Sequence, residues 1–192
     1  MKLTDFIPQG ILPAAEEDAI ALLRADHDKI EDLFSSYEAI KYGRSDEKKH
    51  LVTEICREVR THALVEEELF YPAVRAEIAD DDLMNEAMVE HEGIERLISE
   101  LETMDAADDM LNAKMHVLDA YIAHHVREEE ENIFPKARES DIDMVVLAET
   151  MLRRRSRMLQ DPGKLLQDGA ARPATPRKPR IRSNSPEPRF PR

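Results

Sequence analysis

Four histidines in this sequence are each followed, four residues later, by a glutamate. The pairs are His27/Glu31, His62/Glu66, His91/Glu95 and His125/Glu129. Residues four apart lie on one face of an α-helix, so each pair can direct an imidazole and a carboxylate to the same side. Imidazole and carboxylate groups without a thiolate favour iron, and after it manganese or zinc.

Spacing alone cannot identify a site, because His50/Glu54 and His124/Glu128 have the same spacing. The helix face on which a pair lies decides whether it can contribute to a site inside the protein. Apolar residues flank the four main pairs at helical spacing, as Leu23 and Ile30 do around His27. The pairs are therefore expected in the core. His50 and His116 fall away from the apolar stripes and are predicted to be surface residues. His125 has better apolar flanks than its rival, His124.

Buried carboxylates and imidazoles need partners, because an isolated buried carboxylate costs several kcal/mol. A network of Glu–His ion pairs is one solution, but every donor and acceptor in it would have to be satisfied. Divalent cations are the better solution, because they neutralise carboxylates and bind neutral imidazole. Four histidines and two shared glutamates suit two adjacent ions. The candidate ligands are His27, His62, Glu66, His91, His125 and Glu129.

Several neighbouring side chains are candidates for other roles around these ligands. Glu31 and Glu95 are candidate additional ligands or partners that orient a histidine. Tyr121, one turn before His125, is a candidate donor to a bound oxygen species. Glu67 and Glu130 lie about 140° from the neighbouring histidines and are predicted to face solvent.

The elements that must position these residues are all helical. Helical patterns cover residues 16–42, 46–78, 83–104 and 108–138, with connections of about three to five residues. The second pair of segments repeats the first, and Pro72 and Pro135 each follow a ligand histidine by ten residues. The pattern predicts an all-α, up-down antiparallel four-helix bundle over residues 16–138. Residues 139–161 are expected to add a short helix.

Composition limits the remaining functions. The 192 residues carry a net charge of −14, which argues against nucleic-acid binding by the body of the protein. Residues 162–192 carry 8 basic and 2 acidic residues and 7 of the 11 prolines. They are therefore predicted to be a disordered basic tail, and binding to an acidic partner is one function it could have. Residues 1–15 are expected to be an N-terminal arm. With one cysteine and no membrane span predicted, a cytoplasmic location is expected.

Over residues 17–138 the chain resembles the hemerythrin-like, or HHE cation-binding, family. The resemblance rests on His27, on His62-x-x-x-Glu66, on His91 and on His125-x-x-x-Glu129, with a Phe/Tyr-Pro ending after each glutamate. It implies a non-haem di-iron centre with two iron ions per chain, four histidine ligands, and Glu66 and Glu129 as bridges. Oxygen-carrying members place a further histidine where this chain has Glu95, so reversible oxygen carriage is not expected.

The resemblance and the basic tail together lead to three functional hypotheses. The first is a di-iron protein that senses or handles O2, NO or peroxide, with a role in oxidative stress. The second is a catalase-like enzyme that disproportionates peroxide at the same centre. The third is an interaction protein that works through its basic tail under the control of the metal. The sequence leaves open whether the protein is an enzyme.

Overall fold

The computed structural model describes residues 18–78 and 80–160, so the predicted arm at 1–15 and the predicted basic tail at 162–192 lie outside it. Its α-helices are α1 (Ala19–Ile40), α2 (Ser45–Val65), α3 (Tyr71–Glu77), α4 (Asp81–Thr103), α5 (Leu111–Glu128), α6 (Phe134–Arg138) and α7 (Met144–Gln160). A π-helical turn, Glu66–Phe70, joins α2 to α3, and a second, Glu129–Ile133, joins α5 to α6. None of these helices is long and apolar enough to cross a membrane.

These elements form the predicted up-down bundle of four long helices. The first is α1, the second is α2 continued by α3, the third is α4 and the fourth is α5 continued by α6. Helix α1 packs against α2, α2 against α4, and α4 against α5. The additional C-terminal helix is α7, and it lies across α1 and α2. The sequence prediction of an all-α bundle with one extra helix is thereby confirmed.

Each π-helical turn ends two residues before a proline. The Tyr71 N–H donates to the carbonyl of Glu66, and the Phe134 N–H donates to the carbonyl of Glu129. A proline cannot donate a backbone hydrogen bond, and its ring clashes with a carbonyl in the preceding turn of a regular α-helix. The wider turn relieves that clash, so the chain stays helical past Pro72 and Pro135 instead of stopping there.

The apolar core is divided into two clusters. One contains Leu23, Phe70, Val74, Phe134 and Met151. The other contains Ile30, Phe34, Tyr37, Ile55, Ile98, Leu118 and Ile122. Leu23 and Ile30 lie two helical turns apart on α1, one in each cluster, and His27 lies between them. The bundle therefore contains a layer of buried polar side chains between the two apolar clusters.

Candidate metal centre

The polar layer between the two core clusters contains the six predicted ligand side chains. Glu66 and Glu129 begin the two π-helical turns and are 0% exposed. The four histidines come from four different long helices and are each at most 5% exposed. The members of the layer are His27, His62, Glu66, His91, His125 and Glu129.

The ligand atoms form two groups that share Glu66. His27, His62, Glu66 and Glu129 make one group, and Glu66, His91 and His125 make the other, each with ligand atoms within 4.8 Å of one another. Glu66 Oε2 lies 3.2 Å from His62 Nε2 and 3.5 Å from His91 Nε2. Each group has the size and chemistry of a cation site, and their shared carboxylate places the two sites side by side.

Glu129 links the same two groups from the other side. Its Oε2 atom lies 3.2 Å from His27 Nε2 and 3.6 Å from His125 Nε2. The two carboxylates therefore stand in equivalent positions, each between a histidine of one group and a histidine of the other. This is the arrangement that two ions sharing a pair of bridging carboxylates require.

The unmet hydrogen bonds of these atoms fit bound cations. Within the described part of the chain, His27 Nε2, His62 Nε2 and Glu129 Oε2 are buried without a well-aligned hydrogen bond. Native proteins satisfy nearly all buried polar atoms, so such a concentration marks a ligand site. A divalent cation satisfies imidazole nitrogen and carboxylate oxygen together.

The electrostatics of the layer keep His62, His91 and Glu129 in the form that binds metal. Burial, together with the neighbouring His125, holds the pKa of His91 well below its ordinary value, and burial also lowers the pKa of His62. These imidazoles are neutral at pH 7 and have a lone pair to donate. Burial opposes ionisation of Glu129, but His125 and His27 outweigh it and lower the pKa of that carboxyl. His27 is the exception, because Glu129 and Glu130 overcome its burial and raise its pKa.

A ring of four outer carboxylates faces the Nδ1 atoms of the four histidines. Glu67 and Glu90 lie 2.8 Å from His91 and His125, Glu130 lies 3.1 Å from His27, and Asp26 lies 3.5 Å from His62. A carboxylate at Nδ1 favours a proton on that nitrogen and so leaves Nε2 free for a metal. In every case the carboxylate belongs to a different helix from its histidine, so the ring also ties the bundle together.

The prediction that Glu67 and Glu130 face solvent was wrong. Both reach a histidine of a neighbouring helix, and the Glu67 side chain is 9% exposed. The angle that suggested solvent was measured from the histidine of their own helix, which is not their partner. The detectable signal was adjacency, because all four outer carboxylates directly precede or follow a ligand residue in the sequence.

Helix α7 contacts Asp26 of this ring and the nearby Glu68 through two arginines. The Arg155 guanidinium donates to Asp26, which faces His62, and also reaches Glu58 at 3.3 Å. Arg154 donates to Glu68 in the first π-helical turn, with its Nε 2.5 Å from Glu68 Oε2. The additional helix is therefore connected to the candidate metal centre by a chain of charged contacts.

Tyr71 is a member of the centre that the sequence reasoning missed. Its hydroxyl donates to Glu129 Oε1 at 2.7 Å and lies 3.3 Å from the Nε2 atoms of both His91 and His125. Burial, with the charges of Glu129 and Glu66, raises the pKa of Tyr71 well above its ordinary value, so the phenol keeps its proton. In the other half of the repeat the corresponding residue is Phe134, whose ring stacks on His27.

The three candidate additional residues lie elsewhere. Glu31 is exposed, and Tyr121 is 51% exposed beside Gly93. Glu95 receives two hydrogen bonds from the buried Arg60, at 3.0 and 2.8 Å. None of the three belongs to either ligand group, because each points away from the layer or is held by another partner.

The remaining histidines lie on the surface. His50 and His116 are exposed, as their position off the apolar stripe predicted. His124 is 52% exposed at its side chain and contacts Glu90 at 3.1 Å, so it stands outside the layer that His125 enters.

Comparison with known proteins places this fold and centre in a family. The hemerythrin HHE cation binding domain matches residues 18–137, and the chain belongs to that family. A crystal structure of a hemerythrin HHE cation binding domain-containing protein from Mycobacterium kansasii has the same fold, with a TM-score of 0.65 and 21% identity over 79% of this chain and 99% of that one. No curated protein matches the chain.

Proposed function

We propose that this centre holds two iron ions and that the protein senses or handles O2, NO or peroxide. The observation that carries the proposal is the pair of buried ligand groups that share Glu66. His27 and His62 would hold one ion, His91 and His125 the other, with Glu66 and Glu129 between them. Two adjacent redox-active ions in such a donor set would supply binding or reduction of a small oxidant.

The choice of iron follows from the donor atoms. The two ligand groups offer imidazole nitrogen and carboxylate oxygen. This donor set suits iron better than metals that prefer thiolate ligands, and manganese and zinc are less favoured occupants. Glu95, four residues after His91, occupies the position at which oxygen carriers have a further histidine, and it is held by Arg60. This supports sensing or turnover of the small molecule over its reversible carriage.

Elemental analysis of the purified protein tests the proposal. We expect two irons per chain, a strong loss of iron in His62→Ala, and no loss in the matched control His116→Ala, because only His62 lies in the layer. Correctly folded protein that contains no iron after reconstitution under reducing conditions would contradict it. Equal losses in both variants would show that the wrong residues have been assigned.

Peroxide disproportionation is a second candidate function, and Tyr71 is the observation that favours it. A buried, protonated phenol within 3.3 Å of two ligand nitrogens can donate and recover a proton at the reacting position. The assay is oxygen evolution from hydrogen peroxide by the iron-loaded protein. We expect Tyr71→Phe to lower the rate by about 10²-fold, while Tyr37→Phe, which removes a buried hydroxyl bonded to Asn112, leaves it unchanged. A fully active Tyr71→Phe variant would remove the phenol from the mechanism.

A further inference from the structure

A groove of about 820 Å³ runs between α1 and α5 and leads to the candidate metal centre. Its lining extends from His27 to Glu38 on α1 and from Asp119 to Glu131 on the fourth long helix. Eleven residues of α-helix correspond to about 16 Å. The two helices run in opposite directions, so His27 and Glu131 stand at the same end of the groove.

His27 connects the groove to the buried layer. Of the six side chains of the layer, it alone lines the groove. It is 5% exposed, and its Nε2 atom makes no well-aligned hydrogen bond with any residue that the structure describes. Its Nδ1 atom lies 3.1 Å from Glu130, which also lines the groove. The side chain of Glu130 is 35% exposed, so this pair separates solvent from the centre.

The walls of the groove are strongly acidic above an apolar floor. Ile30, Phe34, Ile122 and Val126 form the floor. The acidic lining residues are Asp28, Glu31, Glu38, Asp119, Glu130 and Glu131, against the single base Arg127. Carboxylates along a low-dielectric cleft focus a negative potential on its interior, which attracts cations and repels anions.

The opposite side of α1 is covered, and its charges are paired. There α7 packs against α1 and α2, and its Arg154 and Arg155 form ion pairs with Glu68 and Asp26. A cation approaching from that side would meet a packed helix and two guanidinium groups. The two sides of α1 therefore differ both in packing and in charge.

We propose that this groove is the route by which divalent cations reach the centre, with the Glu130–His27 pair at its inner end. The inference rests on the proposed function, since it concerns how the same centre is loaded. The carboxylates act along the path and are not ligands in the loaded protein. They set the rate of uptake and leave the final amount of bound metal unchanged.

The charge of the groove gives the first test, with Co²⁺ as the probe. Metal-free protein is mixed with Co²⁺ in a stopped-flow instrument, and the absorbance of bound cobalt is followed. If two carboxylates lie about 10 Å from the path, removing both should slow uptake ~5–10-fold at ~10 mM salt and less than ~2-fold at ~0.5 M salt. The variant is Glu31→Gln/Glu131→Gln. The matched control is Glu77→Gln/Glu86→Gln, which removes the same charge from two exposed residues outside the groove.

The width of the groove gives the second test. Ala123 lines the groove and is exposed, so Ala123→Leu fills space without entering the core. We expect it to slow Co²⁺ uptake at both salt concentrations, and Ala120→Leu, one turn away and outside the lining, to match the wild type.

The final amount of bound Co²⁺, measured beside the uptake rate, separates this inference from the proposed function. Full loading of every variant, with uptake slowed only by the groove substitutions, supports the route. Full loading at wild-type rates in both groove variants overturns the route and leaves the metal centre intact. A wild-type protein that binds no metal at all overturns both.

Discussion

Replacement of Glu66 by glutamine should affect the metal-loaded and the metal-free protein in different ways. Glu66 is 0% exposed and belongs to both ligand groups. The amide has nearly the same shape as the carboxylate, but it has no charge and binds cations poorly. Glu66→Gln therefore tests whether the carboxylate is present for the metal or for the fold.

The expected size of the effect follows from linkage between binding and folding. A ligand present at about 1,000 times its dissociation constant adds about 4 kcal/mol to the free energy of unfolding. Loss of even one ion should therefore lower the Tm of the loaded protein by roughly 8–16 °C for a chain of this size. In the metal-free protein the substitution removes a buried charge that faces imidazoles with lowered pKa values. There the free energy of unfolding should stay level or rise by up to about 2 kcal/mol.

The assay is thermal unfolding followed by circular dichroism, with saturating Fe²⁺ under anaerobic conditions and again with a strong chelator. Glu86→Gln, at an exposed residue, is the control and should behave as the wild type in both conditions. An equal loss of Tm with and without metal would show that Glu66 is a structural residue. A wild-type Tm with two bound irons would show that it is not a ligand.

Three further substitutions and measurements probe the surroundings of the centre. Arg155→Gln removes a partner of Asp26 and should weaken cation affinity by roughly 10-fold or more in a chelator competition. Arg157→Gln, at an exposed residue of the same helix, is the control and should leave the affinity unchanged. Equal affinities in the two variants would show that α7 does not support the centre. Cys56 is 0% exposed and burial raises the pKa of its thiol to about 12, so a thiol reagent at pH 8 should react only after unfolding, and rapid labelling of the folded protein would contradict this. Arg60→Met removes the buried partner of Glu95 and Glu102 and should lower the free energy of unfolding in urea by about 3 kcal/mol or more. The iron content should stay unchanged, and a loss of iron would show that these ion pairs support the centre.

The bundle and its polar layer were accessible from the sequence because they follow regular helical spacing. All four histidines of the His/Glu pairs point inward, and the structure brings them together with Glu66 and Glu129. The expectation that every pair lies in the core was wrong for Glu31, which is exposed, and for Glu95, which is held by Arg60. The same rule placed His50 and His116 outside, and both are exposed. The family resemblance rested on the same residues.

The outer parts of the centre could not be predicted in this way, because they depend on features that regular spacing does not contain. Glu67 and Glu130 find their partners on neighbouring helices, which a helical wheel of one segment cannot show. Tyr71 lies five residues after Glu66, on a different face of a regular α-helix. The π-helical turn closes with a hydrogen bond between those two residues and so returns Tyr71 toward the layer.

The π-helical turns also carry the alignment of the helices that follow them. Four residues separate Glu66 from Tyr71, one more than an ordinary helical turn places between residues on one face, and the wider turn absorbs the extra residue. If the same residues formed a regular α-helical turn, Tyr71 and Val74 would be rotated by about 100° relative to His62. One apolar cluster and the centre would then lose their alignment together. The second turn, before Phe134, places the same demand on the fourth long helix.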